Sequence, residues 1–132
     1  MRLTSLPRAA LALLLCAAGA VATAQSGAIK RTVIERADVS VPHREAVVAR
    51  VELAPGGVAG RHTHPGDEIS YVLEGEGELL IDGAAPRPLK AGDAFVVPAG
   101  TVHDAKNTGA ATLRVVGVYV VEKGKPLGSP AE

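Results

Sequence analysis

Residues 56–75 read GGVAGRHTHPGDEISYVLEG, and the fold of the whole chain turns on how this stretch is parsed. His62 and His64 stand two apart, so in extended chain both imidazoles project from one face. Pro65-Gly66-Asp67 is a turn-forming insert that can bring Glu68 back toward the same point. The apolar run Ile69–Leu73 then reads as a strand ended by Gly75. On that strand Ser70 and Val72 share the face of Glu68, while Tyr71 points the other way. Asp67 reads as a solvated turn residue, and Arg61 as facing away from the pair of histidines.

A second informative block lies at residues 92–107, GDAFVVPAGTVHDAKN. His103 follows the turn Pro98-Ala99-Gly100. If strands Ile69–Leu73 and Val102–Lys106 are neighbours in one barrel, three imidazoles and one carboxylate converge. Such a donor set suits a divalent transition metal: iron, manganese, nickel, copper or zinc. Four protein ligands on an octahedral ion leave two positions for water, dioxygen or substrate. A lone His-x-His is a weak signal, and three histidines are also compatible with a pH-sensitive surface cluster or with individually satisfied polar groups. The metal reading gains because three of the chain's four histidines occupy turn-flanked positions that one barrel can bring together. The fourth, His43, reads as part of an extended edge or a subunit contact rather than a ligand.

Working outward, short apolar runs broken by Gly and Pro fill the rest. Candidate strands are Arg31–Glu35, Ala46–Leu53, Ile69–Leu73, Glu78–Ile81, Ala94–Val97 and Thr112–Val121, rich in Val, Ile and Leu. Residues 54–60, Asp82-Gly83, Pro86 to Pro88 and Ala91–Asp93 read as turns. No helical period of useful length is present, which leaves an all-β sandwich or barrel. The Glu74, Glu76 and Glu78 carboxylates read as an acidic surface turn. Residues 25–30 read as a mobile lead-in. The end from Lys123, KGKPLGSPAE, reads as loosely held.

The beginning of the chain has a different character. Arg2 and Arg8 precede an apolar run over Ala9 to Ala20, and Ala22-Thr23-Ala24 supplies small residues for cleavage. This is the pattern of a secretory signal peptide, shorter than a comfortable membrane span. The expectation is a leader over residues 1–24 and an exported, periplasmic domain over 25–132. The 14 basic and 14 acidic residues balance. Losing Arg2 and Arg8 leaves a slightly acidic domain, which argues against nucleic acid or an anionic membrane as partner. The only cysteine, Cys16, leaves with the leader, so the domain relies on its core rather than on disulfides.

The two blocks resemble the motifs of the cupin superfamily. The first motif places Gly, five residues, His-x-His, three or four residues, Glu, six residues and Gly, matched here by Gly56, His62, His64, Glu68 and Gly75. The second places Gly, five residues, Pro-x-Gly, two residues, His, three residues and Asn, matched by Gly92, Pro98, Gly100, His103 and Asn107. The resemblance covers about residues 44–121 and is to small exported bacterial single-domain cupins of the quercetin-dioxygenase-like kind. It implies a double-stranded β-helix, the jelly-roll barrel, with His62, His64, Glu68 and His103 binding a divalent metal inside. It also implies that Gly56, Gly75, Gly92 and Gly100 are turn devices and that Asn107 bonds backbone near a turn.

Fold and metal do not fix a reaction. One expectation is a metal-dependent enzyme, oxygenase- or decarboxylase-like, acting on a small organic acid, with Glu68 doubling as a catalytic base. The other is a non-catalytic periplasmic protein that binds a small molecule or metal chelate. Tyr71, Phe95 and Tyr119 are the only large aromatics, so an aliphatic pocket for a small acid fits better than one for a flavonol. A homodimer is expected, because a barrel this small exposes edges and an outer apolar face. The segment Arg31–Val41 is the candidate for exchange between subunits.

Overall fold

Alternation of apolar and polar residues builds the long strands, and glycines and prolines end them. In the computed structural model, which describes residues 29–132, ten strands form: β1 (Ile29–Asp38), β2 (Arg44–Leu53), β3 (His62–Thr63), β4 (Gly66–Glu74), β5 (Glu76–Ile81), β6 (Arg87–Lys90), β7 (Ala94–Val97), β8 (His103–Asn107), β9 (Leu113–Glu122) and β10 (Ser129–Pro130). They make two antiparallel five-stranded sheets, ordered β1-β2-β9-β4-β7 and β10-β3-β8-β5-β6. The fold is all-β, a jelly-roll of double-stranded β-helix type, with no helix among the described residues. The leader read over residues 1–24 lies outside the described residues.

The core is the space between the sheets. Along β9 every second residue is buried: Leu113, Val115, Gly117, Tyr119 and Val121. The same alternation runs along β2 and β4. Val51, Leu53, Val72, Leu79, Leu89, Phe95, Val97, Leu113 and Val115 form the larger apolar cluster, while Val47, Ala49, Tyr119 and Val121 form a smaller one. Aliphatic packing with one Phe therefore supplies the main stabilisation.

Several expectations need correction. β3, β6, β8 and β10 are short, and a two-residue strand such as β3 carries no periodicity to read. The sequence from Pro86 to Pro88 predicts a turn, but Pro88 sits in β6, at the edge of its sheet, where no ladder hydrogen bond is demanded of it on the outer side. Ile29 and Lys30 belong to β1 rather than to a lead-in. β1 pairs with β2 from Ile29 to Asp38. His43 is not extended: it takes φ 61° in an exposed turn before β2. Strands β4 and β8 are not neighbours in a sheet but lie in opposite sheets. The end of the chain is also held: β10 pairs with β3, and the Ala131 amide donates to the Arg61 carbonyl. Its polar composition hid the fact that it forms the edge of a sheet.

Two backbone devices set the site's position. All four motif glycines have positive φ, as expected. Gly66 has a different role: a Cβ there would lie 1.9 Å from the Val120 carbonyl oxygen. That close approach lets β4 pair with β9 at the end where Glu68 stands. Asn107, fully buried, donates from Nδ2 to the Leu53 and Ala111 carbonyls and accepts the Gly109 amide at Oδ1. Replacing Asn107 by Ala leaves these main-chain groups without partners, and chemical denaturation is expected to show a loss of about 2–4 kcal/mol.

Candidate metal centre

The two histidine-bearing strands bring their rings together by register. His62 on β3 and His103 on β8 are direct cross-strand partners. His64 follows β3 by one residue, and its ring meets the His62 ring edge-on, centroids 4.8 Å apart. Glu68 approaches from the opposite sheet, beside Tyr119 in the β4–β9 ladder. The result is a cluster of His62, His64, Glu68 and His103 whose donor atoms all lie within 4.8 Å of one another. His64, Glu68 and His103 are buried, and His62 is half-buried.

The tautomers follow from the main chain. Nδ1 of His62 meets the Gly60 carbonyl at 2.6 Å, Nδ1 of His64 the Leu127 carbonyl at 2.6 Å, and Nδ1 of His103 the Thr101 carbonyl at 2.9 Å. A carbonyl only accepts, so each Nδ1 carries the proton and donates it. In the neutral rings every Nε2 is then a lone pair, and the three lone pairs point at one another and at a carboxylate. The Nε2 atoms of His62 and His64 are 3.2 Å apart, and Glu68 Oε2 is 3.0 Å from His64 Nε2 and 3.1 Å from His103 Nε2. Electron pairs this close repel unless positive charge stands between them. Bonds of about 2.1 Å put adjacent ligands of an octahedral ion about 3.0 Å apart, which matches these separations. The residues present therefore fit a metal ion.

The titration behaviour expresses the same demand. Burial works to raise the Glu68 carboxyl, but hydrogen bonds from His103 and His64, available when those rings carry a second proton on Nε2, together with that from Ser70, outweigh it and hold the acid well below the usual carboxylate range. Ser70 Oγ donates to Glu68 Oε1 at 2.6 Å, which leaves Oε2 facing the rings. Burial disfavours the charged form of His103, yet Glu68 and the Thr101 carbonyl raise it overall. His62 is lowered, first by burial and then, against the Gly60 carbonyl, by the charges of His103, His64 and Arg31.

Beside the cluster is a cavity of about 30 Å³, room for one or two waters, walled by Val51, Leu53, Leu79, Phe95 and Val115. Glu68 is the only carboxylate that lines it among the described residues. Ser70 and Val72 share the inward face with Glu68, as expected, and Tyr71 faces out. Arg61 also points away, holding Asp82 through two bonds of 2.6 and 2.7 Å. Asp67 is exposed and accepts the Ala99 amide, outside the cluster.

Two residues of the site escaped the sequence reading. Tyr119 is fully buried with its ring 4.7 Å from that of His64. The signal for it was Gly117, an isolated glycine in a run of valines: a Cβ there would meet the Tyr119 hydroxyl at 2.7 Å. Leu127 is the other, since only the folded-back chain end shows that its carbonyl orients His64.

With this geometry in place, the chain belongs to the cupin family: the family profile described as Cupin domain matches residues 49–121. Its likenesses among known proteins point the same way. It is 40% identical over 77 residues to germin-like protein subfamily 2 member 2 of Arabidopsis thaliana, covering 54% of this chain and 35% of that protein. It is 38% identical over 81 residues to an oxalate-binding protein of Thermotoga maritima, covering 60% of this chain and 66% of that one. The chain thus spans only part of either relative. Among solved structures, a protein with a double-stranded β-helix domain from Klebsiella pneumoniae superposes with TM-score 0.68 at 28% identity, covering 80% of this chain and 86% of that one. Oxalate oxidase in complex with the substrate analogue glycolate superposes with TM-score 0.56 at 31% identity, covering 61% and 44%.

Groups that orient a ligand's ring typically change metal affinity by about 10- to 100-fold when removed. Deleting residues 126–132 removes the Leu127 carbonyl from His64. Competition with a chromophoric chelator is expected to show metal affinity weakened by about that factor, while His62 and His103 keep their own carbonyls. Unchanged affinity would mean that the chain end has no part in the centre.

Proposed function

We propose that this protein is a metal-dependent cupin acting on a small organic acid, with oxygenase- or decarboxylase-like chemistry. The observation that carries this reading is the set of three Nε2 lone pairs and one carboxylate directed at a single point beside a small apolar cavity. His62, His64 and His103 through Nε2 and Glu68 through Oε2 would hold the ion. When bound, a divalent transition ion supplies Lewis acidity and open positions for a carboxylate and a second small ligand. The chain's own residues do the rest. Apolar walls line the cavity, Ser70 fixes one oxygen of Glu68, and Glu68 serves as base only once its Oε2 is released from the ion.

Two observations narrow the substrate. The cavity admits only a few heavy atoms, which disfavours a flavonol. One similar protein is named for binding oxalate, and another is an oxalate oxidase. A non-catalytic binding role is the alternative, favoured by the wide mouth of about 290 Å³ outside the cavity, which nothing in the fold covers among the described residues.

The same reading includes export, with cleavage after Ala24, and pairing with a second copy. The outer face of the first sheet carries an apolar row across four strands, Val48, Val118, Ile69 and Val96, each facing the next in register. Ile69 and Val96 are 45% and 59% exposed, with Tyr71 and Leu73 beside them. A solvated sheet face is normally polar, so this one suits burial against its own counterpart across a two-fold axis.

Metal analysis of the exported protein is expected to give one transition ion per chain, lost in His62→Ala and His103→Ala. Oxygen uptake or carbon dioxide release from oxalate and related small acids should vanish with it. Tight binding of these acids with no consumption would instead establish the binding role. Light scattering should return twice the chain mass, and Ile69→Glu should halve it. A wild-type monomer at micromolar concentration contradicts the dimer.

A further inference from the structure

Strand β1 is an edge strand, and its inward face carries a cation. Ile29, Arg31 and Val33 lie opposite Leu53, Val51 and Ala49, all three of which point into the core. Ile29 packs against the larger apolar cluster, so the Arg31 side chain is directed over the opening of the barrel. It lines the small cavity together with His62, Glu68 and Tyr119, and also the wider mouth outside it. Arg31 therefore stands at the opening beside the four-residue cluster.

The charges there are unbalanced. Arg36 pairs with Glu45, Arg61 with Asp82, and Arg114 with Glu52 and Glu74. Arg31 takes part in none of the ion pairs among the described residues, although it stands within influence of both His62 and Tyr119. Arg61, the other guanidinium at the mouth, is committed to Asp82 and to the Glu132 carbonyl. Tyr119 is a hydroxyl donor in the same cavity. Burial and the nearby Glu68 carboxylate push its phenol up to about 12, against the pull of Arg31. A guanidinium fork and a phenol O–H side by side form a donor set shaped for a carboxylate.

We propose that Arg31, assisted by the Tyr119 hydroxyl, is a carboxylate-receiving subsite that makes this site selective for short dianions over monoanions. The proposal rests on the reading of His62, His64, Glu68 and His103 as a metal centre for a small acid. One carboxylate end occupies the inner cavity at that centre. The second sits at the mouth against Arg31, so a short diacid engages both. An acid with a single carboxylate engages the centre alone.

The test is calorimetric titration of the metal-loaded full chain with oxalate and with acetate. Arg31→Gln removes the fork from an exposed edge position, and Arg31→Lys keeps the charge without it. Metal content of both variants should equal wild type, since neither change touches a proposed ligand. Oxalate affinity is expected to fall about 10- to 100-fold in Arg31→Gln and by less in Arg31→Lys, while acetate affinity changes less than about twofold. Oxalate binding that survives Arg31→Gln unchanged, or acetate weakened as much as oxalate, overturns the subsite alone. A metal-loaded wild type that takes up neither anion overturns the small-acid reading and the subsite with it.

Discussion

Three imidazoles have their Nδ1 protons committed to main-chain carbonyls, and the chemistry of the site follows from that commitment. The carbonyls belong to Gly60, Thr101 and Leu127, three separate segments. Each fixes one ring's tautomer and orientation, so the three Nε2 lone pairs face inward together with a carboxylate. Such a concentration of electron pairs in a buried setting is costly unless a cation shares it. A bound metal ion would supply that charge; without one, protons shared among Glu68, His64 and His103 supply part of it. Every buried side-chain polar atom among the described residues has a polar neighbour within hydrogen-bond distance, so the cluster lacks positive charge rather than polar contacts.

The jelly-roll serves this cluster by closing around it. One sheet brings His62 and His103 into cross-strand register, and the other presents Glu68, Ser70 and Tyr119 from neighbouring inward positions. The core of valines and leucines behind them keeps water out, which strengthens every electrostatic contact in the cavity. The chain end, by returning to pair with β3 and to hold His64, ties the last residues to the site's geometry. The same fold leaves an edge strand, β1, free to carry Arg31 to the mouth.

Much of this was legible in the chain itself. The long strands β2, β4 and β9 announce themselves through alternation, and the four clustered residues through turn-flanked spacing. What remained hidden has physical reasons. β3 and β10 are two residues each, too short for any period. Pro88 disguised β6, because an edge strand tolerates what an interior strand does not. The polar end from Lys123 read as loose because composition reports the solvation of side chains, whereas main-chain pairing holds it. Tyr119 and Arg31 are single residues whose role depends on which face of a strand turns inward and on what stands opposite. The convergence of His103 with Glu68 was foreseen, yet through a wrong adjacency: the two meet across the sandwich and not along one sheet.

The most direct test of the central claim is a crystal structure of the metal-loaded protein with anomalous diffraction collected at the metal's absorption edge. The account predicts one peak per chain, about 2.0–2.2 Å from the Nε2 atoms of His62, His64 and His103 and from Glu68 Oε2. Every Nδ1 should remain on its carbonyl. A peak elsewhere on the molecule, or a ring turned to coordinate through Nδ1, would contradict it.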